Sequence, residues 1–149
     1  MTLKTVNTAL TTVGVLFILY IGVSYVLTPG TTAPGFGLPS WPSGDGDGFL
    51  ILKGIRDIVS GLVLGVLLVT GQRRAMGWVL LVEALTPLGD MTNVLAHHGS
   101  AAVAFGVHGL TAAVIVVTGL LTLRETRKTT AGTVAAAQEP GPAKARIAV

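Results

Sequence analysis

The chain has no cysteine, which excludes disulfide frameworks, thiolate metal centres and cysteine nucleophiles. Charge is nearly as scarce. Only 11% of the 149 residues are charged, against about 25% in a typical soluble domain, whose surface must face water. Lipid makes no such demand. Runs of about ten alternating apolar and polar residues, the signature of membrane-spanning strands, are absent as well. The formal charge of +3 and the pI near 9.7 do not point to nucleic acid. The basic residues fall singly or in pairs at the ends of apolar runs, with no basic patch and no aromatic platform between them. Their placement reports orientation in a membrane instead, and no nucleic-acid partner is expected.

What is present is apolar, and it is segmented. Four stretches stand out, at about residues 6–27, 49–70, 75–95 and 101–123. Each is roughly 20 residues long, and at about 1.5 Å per residue each covers the ~30 Å hydrocarbon core of a bilayer. The expected fold is all-α: a four-helix transmembrane bundle over residues 1–124, with a Pro/Gly-rich outer loop and a disordered cytoplasmic tail from residue 125 to 149. The first stretch is longer than a signal-peptide core and no small-x-small cleavage site follows it, so it reads as a retained helix. Lys4, Arg73, Arg74, Arg124, Arg127 and Lys128 all fall on one side of a four-span topology, while the loops at 28–48 and 96–100 contain no lysine or arginine. A multi-pass protein of the cell membrane with both termini cytoplasmic is predicted.

The outer loop differs in kind from the tail. Prolines 29, 34, 39 and 42 stiffen it, six glycines turn it, and Phe36, Leu38 and Trp41 give it an apolar side. Two roles stay open for it: a lid over the mouth of the bundle, or an interfacial anchor through Trp41. The Asp45-Gly-Asp47-Gly run lacks the remaining ligands of a calcium loop and reads as a turn into the second helix.

Ionisable residues inside the spans carry the functional signal, because each costs a few kcal/mol to insert and tends to face the bundle interior in pairs. Helix two offers Lys53, Arg56, Asp57 and Ser60 at i, i+3, i+4 and i+7. Helix three offers Glu83, Thr86, Asp90, Asn93 and His97 at i, i+3, i+7, i+10 and i+14. Helix four contributes His108, with Ser100 and Ala104 before it and Thr111 and Ile115 after it on the same side. Three helices therefore each offer a polar stripe, and a site is expected where these stripes turn toward one another. Lys53 pairs along its own helix with Asp57, while Arg56 is expected to reach across to Asp90. Pro87, four residues after Glu83, is expected to open the helix beside that acid. Gly61 with Gly65 offers close helix approach, Gly106 and Gly109 soften helix four, and the glycine pairs offer a route to homo-oligomers.

In the reading that makes most of these residues, Asp90, His108 and Glu83 supply acid–base chemistry. Lys53, Arg56, Asp57, Asn93, His97 and Trp41 then surround a small lipophilic or amphipathic ligand. Isomerisation or cyclisation of a membrane-dissolved substrate would suit such a site. Proton-linked transport, an accessory role in a larger membrane complex, and a purely structural role for the polar residues are the other classes left open. The spacing matches no compact metal motif, and Lys53 and Arg56 would oppose a dication, so neither metal nor cofactor is expected. Membrane lipid is the one partner the composition requires.

The segment Lys-Gly-Ile-Arg-Asp-Ile-Val-Ser-Gly at 53–61, together with Pro-Leu-Gly-Asp-Met-Thr-Asn at 87–93 and His108-Gly109, resembles a family of small four-helix membrane proteins known only as a domain of unknown function. It is more distantly similar to the DoxX-like group. The resemblance covers about residues 5–123. It implies a four-helix membrane bundle and brings no activity to Arg56, Asp57, Asp90 or His108.

Overall fold

The structure, a computed structural model, describes residues 2–138, with side chains as far as Arg127. It is helical, with no strand among the described residues. Helix α1 spans Leu3–Leu27. The Thr2 hydroxyl caps it by accepting the Thr5 N–H at 3.2 Å, which satisfies one of the donors a helix start leaves free. Pro29 follows, and the chain turns through a short helix at Pro29–Thr32 and a 3-10 turn at Ala33–Phe36. A second 3-10 turn at Gly44–Gly46 leads into α2, Asp47–Val69. The Asp-Gly repeat is therefore the expected turn.

Gly71, with φ +70°, provides the left-handed residue that lets the chain reverse into α3. Helix α3 covers Arg73–Ala96 in two segments, Arg73–Glu83 and Leu85–Ala96, with a break at Ala84. Pro87 has no N–H to give the Glu83 carbonyl, and the next bond, Leu88 N–H to Ala84 O, is long at 3.3 Å. The expected opening beside Glu83 is thus present. Helix α4 starts at Ala101–Val103, widens into a π-helical stretch at Ala104–Gly109, and continues as Leu110–Gln138.

Helix α1 packs along α2 and α3 along α4, and the two pairs join through α1–α4 and α2–α3 contacts. The core is slim: Leu64, Met76 and Leu80 are buried, with Val15, Leu67 and Ile115 packed against them. Most large apolar side chains point outward instead, Tyr20, Leu27, Phe49, Val69 and Leu85 among them. In water such a surface would be untenable; in hydrocarbon it is the favoured one. Three helices, α1, α3 and α4, are long and apolar enough to cross a membrane. The 23 residues of α2 are long enough too, but Lys53, Arg56 and Asp57 lie in one stretch of it. The chain is a helical membrane protein.

Helix α4 continues as far as Gln138, and Glu125 is tied into the bundle. Residues 139–149 lie outside the described residues.

Candidate functional site

At the end of the bundle where the outer loop lies, four helices and the loop bring ionisable groups together. Lys53 Nζ donates to Asp57 Oδ2 at 2.7 Å, one turn along α2. Asp57 is buried and Lys53 half-buried. The ammonium also lies 4.7 Å from the Tyr25 ring centre on α1 and 5.5 Å from that of Phe36 in the loop. A carboxylate and two aromatic faces thus replace the water a lysine would otherwise require. On the opposite side, His108 Nδ1 faces Asp90 Oδ2 at 3.9 Å, while Nε2 contacts the Phe36 carbonyl at 2.9 Å. The Phe36 and His108 rings meet in a tilted arrangement, centroids 4.8 Å apart.

A carbonyl can only accept, so Nε2 carries the hydrogen that makes the Phe36 contact. Nδ1 then faces the Asp90 carboxyl across 3.9 Å, too long for a hydrogen bond between them.

Local structure explains how they meet. The π-helical stretch contains one residue more per turn than an α-helix would, and it sets Ala104 and His108 inward together. The loop is held by backbone. Gly37 O accepts the Ser100 N–H at 2.8 Å, and a Cβ built on Gly99 would collide with that same carbonyl oxygen. Gly37 itself has φ +94° and lies against Val103, so two glycines allow the loop to settle on the start of α4. Of this loop Phe36 reaches the cluster, its carbonyl and ring against His108 and its ring near Lys53, while Trp41 is exposed.

Several residues on the polar stripes do not join. Arg56 is exposed and makes no ion pair among the described residues, so the expected Arg56–Asp90 bridge is not formed. The buried stripe of α2 is Gly54, Asp57, Gly61 and Leu64, and Arg56, two residues past Gly54, is turned about 200° from it. Asn93 and His97 are exposed too, because the buried positions of that half of α3 are Pro87 and Val94. His97 Nδ1 lies 2.9 Å from the Asn93 carbonyl of its own helix. Glu83 is half-buried at the break, without an ion-pair partner among the described residues. No three His, Asp or Glu side chains among the described residues converge as a metal would need.

These placements predict opposite outcomes for neighbouring cations. Arg56→Leu should leave stability within about 0.5 kcal/mol, as exposed substitutions usually do. Lys53→Met strands buried Asp57 and should cost about 2 kcal/mol, allowing for the partial exposure of the lysine. Denaturant titration of the two variants in the same detergent separates them; equal losses would mean that Arg56 is held after all.

A second polar network, at the end where the arginines collect, was not evident in the sequence. Arg73, at the start of α3, makes a two-pronged bridge to Glu125 on α4, Nη2 to Oε2 at 2.8 Å and Nε to Oε1 at 3.2 Å. Its Nη1 also donates to Thr8 Oγ1 at 2.9 Å, and Asn7 Nδ2 donates to Glu125 Oε2 at 3.0 Å. Helices α1, α3 and α4 are clamped together there. Asn7 and Thr11, one turn apart on α1, are fully buried, and Asn7 Oδ1 and Thr11 Oγ1 have no partner among the described residues. A polar pair at i, i+4 within an otherwise apolar run was the available signal. The lone acid among the basic residues from 124 to 128 was its complement.

A family model described as "Domain of unknown function (DUF4267)" matches residues 15–122, most of the chain. The chain belongs to this family. The match takes in Lys53, Asp57, Arg73, Asp90, His108 and the loop, and leaves out Asn7, Thr8 and Glu125. No curated protein and no solved structure matches the chain, and none of the comparisons links it to the DoxX-like group.

Proposed function

We propose that this chain is a multi-pass membrane protein that binds a small amphipathic molecule at the loop end of its bundle, under a lid formed by residues 29–37. In this reading α2 is a fourth span, its charges turned to the other helices or reaching the headgroups. Both termini are cytoplasmic, since every basic residue between spans lies at one end. The observation that carries the proposal is the bond from His108 Nε2–H to the Phe36 carbonyl. A loop carbonyl takes the place where a ligand's carbonyl or carboxylate oxygen would accept the same hydrogen. Lifting the loop exposes that donor next to Asp90 and the Lys53–Asp57 pair, within an apolar wall. Asp90 and His108 would then add or remove a proton on the bound molecule, as an isomerase or cyclase needs. A paired, aromatic-covered lysine supports the site's charge balance rather than forming a covalent adduct.

Native mass spectrometry of the detergent-purified full chain tests this reading. A small amphipathic molecule should accompany the unmodified protein and be lost from His108→Ala, while Asp90→Asn retains it. If the protein carries only bulk phospholipid, or if His108→Ala retains the molecule, the site is structural and the proposal fails.

A further inference from the structure

At the arginine end, the outer surface between α3 and α4 holds a cleft of about 440 Å³, lined by Trp78, Leu81, Leu120, Leu123, Arg124 and Arg127. Its shape follows from two glycines. A Cβ on Gly77 would lie 3.3 Å from the Gly119 carbonyl, and one on Gly119 would lie 3.1 Å from the Gly77 carbonyl. The backbones therefore nearly touch, and the side chains next to them, Trp78 and Leu120, splay outward as the walls of a groove. Both are about half exposed, at 52% and 54%. Above the apolar floor sit Arg124 and Arg127, three residues apart on one face of α4 and both exposed. Neither makes an ion pair among the described residues, in contrast to Arg73, which Glu125 occupies.

We propose that this cleft is a binding site for an anionic glycerophospholipid. An acyl chain lies along Leu81, Leu120 and Leu123, Trp78 marks the headgroup level, and Arg124 and Arg127 grip the phosphate. The chemistry selects the occupant. The planar fork of a guanidinium matches phosphate oxygens two at a time. Two unpaired arginines favour a headgroup of net negative charge over a zwitterionic one, whose own cation opposes them. The groove below is lined by Trp78, Leu81, Leu120 and Leu123, an apolar wall that suits an acyl tail and offers a soluble anion nothing. Basic clefts between helices at the cytoplasmic side bind anionic headgroups on the same grounds. The site is separate from the cluster under the loop and does not rest on the function proposed for that cluster.

The chain has two tryptophans, so Trp41→Phe leaves Trp78 as the only reporter. The full chain carrying that change is placed in phosphatidylcholine vesicles containing a minor fraction of acyl-brominated lipid, either phosphatidylglycerol or phosphatidylcholine. Bromine quenches indole on contact. Brominated phosphatidylglycerol should quench Trp78 on the order of tenfold more effectively than brominated phosphatidylcholine. Adding Arg124→Gln and Arg127→Gln should bring the two lipids level. Both arginines are exposed, so unchanged circular dichroism and thermal unfolding will show that the fold survives. Equal quenching in the unsubstituted background, no quenching by either lipid, or a preference that persists without the arginines would each overturn the proposal.

Discussion

Gly54→Leu should pull α1 away from α2 and lower unfolding stability by about 3 kcal/mol, the upper end of what overpacking costs. At this crossing two glycines face each other. A Cβ on Gly54 would come within 2.6 Å of the Gly22 carbonyl oxygen, and one on Gly22 within 2.7 Å of the Gly54 oxygen. Backbone cannot rotate aside as a long side chain can, so the helices must separate. That separation propagates, because Gly61 lies against Leu19 and Ile18 one crossing further along. It also moves Tyr25 away from Lys53. Membrane helices depend on such closeness, since lipid provides little hydrophobic drive to bring them together and contact is won by packing. Gly14, also on α1, has nothing within 4 Å of an added Cβ, and Gly14→Ala should be neutral or slightly stabilising. Steric trapping or SDS titration of the two variants decides. A Gly54→Leu protein as stable as Gly14→Ala would mean that the two helices do not cross there.

Arg73→Met has the next largest expected effect, a loss of about 3 kcal/mol. The Arg73 and Glu125 side chains each keep only 14% of their exposure, and removing the arginine takes from the carboxylate its two-pronged partner. The weakened solvation of a largely buried carboxylate, more than the lost attraction, makes the change expensive. The double variant Arg73→Met with Glu125→Leu should therefore cost clearly less than the sum of the single changes. It should not return to the unsubstituted level, because Glu125→Leu also deprives the Asn7 amide of its acceptor. Additive losses would show that the bridge is not made. Since Glu125 was expected to lie in a loose tail, this variant also tests how far α4 is part of the bundle.

The length and polarity of each segment were legible in order, and with them the class of fold. Apolar runs of membrane length and a nearly chargeless composition admit few other solutions, and Pro87 announced the break at Ala84 because a proline's missing N–H acts within its own helix. The Lys53–Asp57 pair was readable for the same reason, being four residues apart on one helix. What the residues could not say was which way each helix faces. An apolar run in lipid is apolar all round, so hydrophobic periodicity, the usual guide to the inner face, carries little weight. Arg56 and Lys53 look equivalent on a stripe. Gly54 and Gly61 decided between them, because the closest helix approach goes where side chains are smallest, and that contact turned Arg56 outward. The π-helical stretch at His108, the Phe36 carbonyl beneath the loop, and the joining of Asn7 to Glu125 across 118 positions depend on how separate segments fit. Local sequence sets a helix's extent through its own hydrogen bonds; its rotation and partners come from contacts between residues far apart in the chain.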